Sequence, residues 1–171
     1  MKKTLTAVLA LAVLVSAAFA GGSKEKTAAS KQLTKETMKV GFIYIGTIND
    51  EGYTQAHDRG RLAVEAMGIK TAYVENVPEN LGDCEKAIRD LIDIGCNVIY
   101  TNSFGFMDAT AKVAEDFPNL YFGHCSGYTQ KENMCSYFGK IYQARYLAGI
   151  VAGLNTKNNR IGYVAAFAIP E

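Results

Sequence analysis

Apolar and polar residues alternate in blocks from Met38 onward. Lys39-Val40-Gly41-Phe42-Ile43-Tyr44-Ile45 is a short apolar run closed by Gly46, the pattern of a buried strand. Residues 53–67 place Ala56, Gly60, Ala63, Val64 and Met67 on one helical face, and Gly68 stops the helix. Thr71–Val74 reads as a second strand. A helix follows with Asp83 as its N-cap, an inward face of Cys84, Ala87, Ile88, Leu91 and Ile92, and Gly95 as its stop. Asn97–Thr101 is a third strand, 107–116 a third helix, and Leu120–Gly123 a fourth strand. Met134–Phe138 is a further strand. Residues 140–154 form a helix whose run Tyr146–Leu154 is apolar nearly all round and is therefore expected to be buried. Arg160–Phe167 reads as a last strand.

Strands alternating with helices predict an α/β fold, a doubly wound and mostly parallel sheet. In such sheets ligands bind beyond the carboxyl ends of the strands, where the strand order reverses. The strand ends are therefore where candidate chemistry is sought.

The first 37 residues break the block pattern. Lys2 and Lys3 precede an apolar run from Leu5 to Ala20, interrupted only by Thr6 and Ser16, with Ala18-Phe19-Ala20 before Gly21. This is the pattern of a secretory signal peptide over 1–20, and its apolar run is too short for a membrane span. Residues 21–37 are polar and aperiodic and read as a flexible tether. Peripheral association with a membrane is the expectation, with the chain exported to the periplasm or the outer face of the plasma membrane.

Composition narrows the function classes. The 171 residues carry 18 bases and 17 acids, a net charge of +1, which excludes a broadly basic nucleic-acid binder. Loss of Lys2 and Lys3 leaves 16 bases against 17 acids. The chain has no phosphate-loop motif, no HExxH, no CxxC and no GxSxG elbow, and only two histidines, His57 and His124. No cofactor, metal site or catalytic pair is read. The four cysteines, Cys84, Cys96, Cys125 and Cys135, read as small buried hydrophobes, with disulfide pairing as the alternative.

Two strand ends carry candidate binding residues. After the first strand, Asp50 either caps a helix or accepts hydrogen bonds from a ligand, and Tyr53 either packs or stacks on a flat ring. After the third, Ser103, Phe104 and Phe106 form either a binding wall or core packing. His124, after the fourth strand, reads as structural.

These segments also carry a resemblance. Lys39-Val-Gly-Phe-Ile-Tyr, Asn49-Asp-Glu-Gly-Tyr-Thr-Gln-Ala-His-Asp-Arg-Gly-Arg and Thr101-Asn-Ser-Phe-Gly-Phe-Met-Asp resemble the basic membrane protein family. So do Tyr137–Gly153 and Ile161–Glu171, so the resemblance covers 38–171. The family comprises ABC-transporter substrate-binding proteins with a type I periplasmic-binding fold. It implies a two-lobed binder of purine nucleosides or nucleobases that partners an ABC permease. Family-like site positions fall on Asp50, Tyr53, Thr54, Ser103, Phe104 and Phe106. Where the related subgroup often has Trp, this chain has Tyr53. Ala168 replaces a usual Pro, and the family's lipid-accepting Cys is absent.

Family members are about twice as long, as two lobes require. Residues 38–171 are accordingly expected to form the N-terminal lobe, with the second lobe missing. The leading expectation is a solute-binding protein that catalyses nothing. The alternatives are a non-functional or dimerising single-lobe fragment, and an exported flavodoxin-like enzyme.

Overall fold

A computed structural model describes residues 33–165. The signal peptide expected over 1–20, most of the tether expected over 21–37 and the end of the last expected strand lie outside the described residues. The order of elements is β1 (Lys39–Ile43), α1 (Tyr53–Ala66), β2 (Lys70–Val74), α2 (Leu81–Asp93), β3 (Val98–Thr101), a 3₁₀ turn (Phe104–Phe106), α3 (Met107–Asp116), β4 (Tyr121–Cys125), β5 (Met134–Tyr137) and α4 (Ile141–Asn155).

The five strands form one sheet in the order β2-β1-β3-β4-β5. Every pairing is parallel. The doubly wound α/β expectation is met. Parallel neighbours need crossovers, and helices supply the first three. The β4–β5 connection has no helix. Asn133 anchors it instead, its Nδ2 lying 3.0 Å from each of the carbonyls of Ala114, Phe117 and Leu120.

One face of the sheet holds the main core. Ile43, Ile99 and Phe122 meet Cys84, Ile88 and Leu91 of α2 and Val113 of α3. The expected inward face of α2 is correct, with Ile92 half-buried at its rim. Its N-cap is Asn80 and not Asp83: Asn80 Oδ1 accepts from the Asp83 backbone N–H at 2.9 Å, and Asn80 Nδ2 donates to the Asp83 carboxylate at 2.7 Å. The extended backbone that a cap needs comes three residues earlier than the sequence reading placed it. Gly68 and Gly95 stop α1 and α2 as expected, at φ +85° and +91°, where a side chain would be strained.

The opposite face carries Val40, Phe42 and Tyr44, covered by α1. Here the expected helix face is overturned. Ala56, Gly60, Ala63 and Met67 are exposed and Val64 is half-buried; the buried residues of α1 are Thr54, Asp58 and Arg61. The reason lies in what the sheet presents. Arg61 reaches both Asp58 carboxylate oxygens (2.5 and 3.2 Å), Glu65 (3.0 Å) and Thr71 (3.3 Å), and stands 4.7 Å over the Tyr73 ring. The Tyr44 hydroxyl donates to Asp58 at 3.3 Å. A tyrosine-rich surface accepts a paired, hydrogen-bonded ion pair where an aliphatic one would not.

The helix expected over 140–154 forms, but its expected burial is overturned. No residue of α4 is buried, and Leu154 is 82% exposed. It follows the edge strand β5, and no described element covers it. Residues 160–165 likewise form no strand, which corrects the described part of that expectation. The sheet ends at β5, so among the described residues they have no strand to pair with.

Candidate solute-binding cleft

The strand order places a switch point between β1 and β3. The chain leaves β1 for β2 on one side, then returns to pair β3 on the other. The loops after β1 and β3 therefore splay apart at the carboxyl edge and open a crevice. All six residues singled out in the sequence sit in or next to these two loops.

Asp50 organises the first loop. Its Oδ1 accepts from the backbone N–H of Gly52 (2.8 Å) and Gln55 (2.9 Å), and its Oδ2 from Thr54 (2.8 Å). These are orphan donors of the first turn of α1, so the capping alternative is the geometry observed. The bond from Gln55, with those from Gly52 and Thr54, outweighs slight desolvation and holds the carboxyl at a pKa of about 2. Thr54 is 1% exposed and packs beneath the loop.

Tyr53 joins the two loops. Its hydroxyl donates to the backbone carbonyl of Asn102, at the end of β3. Asn102 in turn accepts, through Oδ1, from the Ile45 N–H at 3.0 Å. The Tyr53 ring is 44% exposed and meets the His57 ring edge-on, centroids 4.6 Å apart.

The second loop is held from the connection between β2 and α2. Glu79 accepts from the Ser103 hydroxyl and from the Gly105 N–H at 3.1 Å. A Cβ on Gly105 would come within 2.7 Å of the Glu79 side chain, so only glycine admits this contact. Phe104 is half-buried and meets Tyr128 edge-on, at 6.4 Å between centroids. Phe106 is fully buried in the core against α2 and α3. The structure thus brings Asp50, Tyr53, Ser103 and Phe104 to one edge and turns Thr54 and Phe106 inward.

A pocket of about 660 Å³ opens beside Tyr53, lined by Tyr53, His57, Cys125, Tyr137, Phe138 and Arg145 among others. Of the six singled-out residues only Tyr53 lines it. Burial lowers the His57 pKa, against an opposing pull from Asp50, which favours the neutral ring. The helical spacing of His57 from Tyr53, one turn later, was a signal available in the sequence; Tyr137, Phe138 and Arg145 had none, because only β4–β5 pairing brings them there. Among the described residues no group of acids, histidines and cysteines could hold a metal ion.

A largely apolar pocket beside the carboxyl edge of a parallel sheet has the form of a small-molecule site. The Bmp family profile, described as ABC transporter substrate-binding protein PnrA-like, matches residues 37–171. The chain belongs to the Bmp family. A purine-binding protein of Brucella abortus is 41% identical over 140 residues, 80% of this chain and 40% of that protein. TsgA13 of Haloferax volcanii, named as an ABC transporter glucose-binding protein, is 41% identical over 152 residues, 88% of this chain and 38% of its own length. The chain thus spans about two fifths of each relative. A solved ABC transporter solute-binding protein from Conexibacter woesei superposes with a TM-score of 0.61 at 22% identity, over 68% of this chain and 40% of that one. That likeness shows the fold. Among the described residues of this Bmp-family chain, no helix is long and apolar enough to cross a membrane.

Proposed function

We propose that the chain acts as a lobe of an exported solute-binding component of an ABC transporter, and that it binds a purine nucleoside or nucleobase for delivery to the permease. Residues 38–171 supply one wall of the cleft, residues 1–20 direct export, and association with the membrane is peripheral. The ligand is released unchanged.

One observation carries the reading. The Tyr53 hydroxyl bonds the Asn102 carbonyl across the switch point, which holds an exposed aromatic ring in the wall of a largely apolar pocket. A flat heteroaromatic ring stacks on such a surface, and base–aromatic stacking is worth about 1–3 kcal/mol. In this reading Asp50 shapes the loop that presents Tyr53, and Ser103 and Phe104 form the neighbouring wall. Hexose binding is the second reading, favoured by the Haloferax relative's name.

The test is calorimetric titration with adenine, hypoxanthine, their ribonucleosides and glucose, on the wild-type chain and Tyr53→Ala. Purine binding that weakens by about 10- to 100-fold in the variant is the expected result. Glucose binding without purine binding, or purine affinity indifferent to Tyr53, overturns the reading. Recovery of the ligand as a different compound would point to an enzyme.

A further inference from the structure

The pocket beside Tyr53 is unbalanced in its polar groups. Its walls are largely aromatic and aliphatic, and Arg145 supplies its one full positive charge. No carboxylate lines it among the described residues. Two of the acids at the same edge are committed elsewhere: Asp50 to three backbone N–H groups, Glu79 to Ser103 and Gly105. Arg145 is exposed and makes no ion pair among the described residues; its guanidinium stands 5.8 Å from the Tyr163 ring centre.

We propose that this pocket selects a 6-oxopurine base over a 6-aminopurine, with Arg145 donating two N–H bonds to O6 and N7, and that it does not read a ribose. The inference rests on the purine reading above and names the member of that class. A guanidinium fork is donor-only and matches two adjacent acceptors in one plane. A 6-oxopurine presents that pair on its O6/N7 edge. Adenine puts an amino donor where O6 would be, and two donors then face each other. A ribose 2′-hydroxyl is typically recognised by an acidic acceptor, and the described lining has none. Tyr53 and Phe138 supply aromatic faces for the ring itself.

The experiment is calorimetry on the full chain with hypoxanthine, adenine and inosine. Hypoxanthine is expected to bind about tenfold or more tighter than adenine, and inosine no tighter than hypoxanthine. Arg145→Gln is expected to lower the hypoxanthine-to-adenine ratio by about tenfold or more, because a glutamine amide reads the amino/N7 edge. Arg145→Met, which keeps the stem and removes the fork, brings the ratio near one and serves if the glutamine variant fails to fold. Adenine binding as tightly as hypoxanthine, a ratio unchanged in these variants, or inosine binding about tenfold tighter than hypoxanthine overturns the inference and leaves the purine reading standing. Absence of binding by all three purines overturns both.

Discussion

Thr101 Oγ1 lies 2.8 Å from Nδ1 of His124, and both residues are fully buried. The Thr110 hydroxyl donates to the Phe106 carbonyl at 2.7 Å, which uses its single proton. Thr110 must therefore accept from the Thr101 hydroxyl at 3.0 Å, and Thr101 must accept from His124. The chain of donors places a proton on Nδ1 of His124 and ties β4 to the turn that carries Phe104. Thr101→Val keeps the shape and removes the acceptor. We expect a loss of about 1–3 kcal/mol in urea unfolding, and nitrogen NMR of His124 should show the proton on Nδ1 in the wild type. An Nε2–H tautomer would contradict the order of donors.

Asp50 makes the acid stability of the fold pH-dependent. Its folded pKa, about 2, lies below the ordinary value of 3.8. A depressed carboxyl favours the folded state fully above the unfolded value and loses that contribution as pH falls through the folded one. Stability should therefore decline between about pH 4 and pH 2. Asp50→Ala should lower the urea midpoint at pH 7 and flatten this decline. Equal slopes in wild type and variant would show that other carboxylates dominate.

His57 titrates in the opposite chemical sense with the same direction in pH. Burial lowers its pKa below 6.5, so protonation costs more in the folded chain than in the unfolded one. Its contribution is intact above pH 6.5 and is lost as pH falls below it. Proton NMR should give a His57 midpoint below 6.5, and a filled pocket should lower it further by added burial. A midpoint above 6.5 would mean that the Asp50 charge outweighs desolvation.

No disulfide links Cys84, Cys96, Cys125 or Cys135, and only Cys135 is exposed. Cys125 pairs in register with Tyr137, and Cys135 with Gly123, so the two thiols are not opposite one another. Burial, with the charges of Glu85 and Glu79, pushes the Cys84 thiol up to about 12. A thiol reagent at pH 8 should label one cysteine in the native chain and four in denaturant. Fewer than four in denaturant would reveal a disulfide.

The sequence by itself determined the α/β class, the order of its strands and helices and the inward face of α2, because apolar periodicity is a local record of burial. It also located the loop ends after β1 and β3, since parallel crossovers must expose them. Only the tertiary structure decided which side of α1 is buried. That depended on Tyr44 and Tyr73 lying beneath it and on Arg61 pairing with Asp58 there, and a hydropathy pattern scores both charged residues as outward. The sequence left capping by Asp50 and burial of Phe106 as open alternatives that the structure resolved, while the burial of Thr54 and the bond from Tyr53 to Asn102 were hidden, since each depends on the direction of one side chain within a correctly placed loop. The pocket took its form from strand pairing. Cys125 and Tyr137 meet Tyr53 only because β4 lies between β3 and β5, a long-range choice that no short stretch of sequence contains.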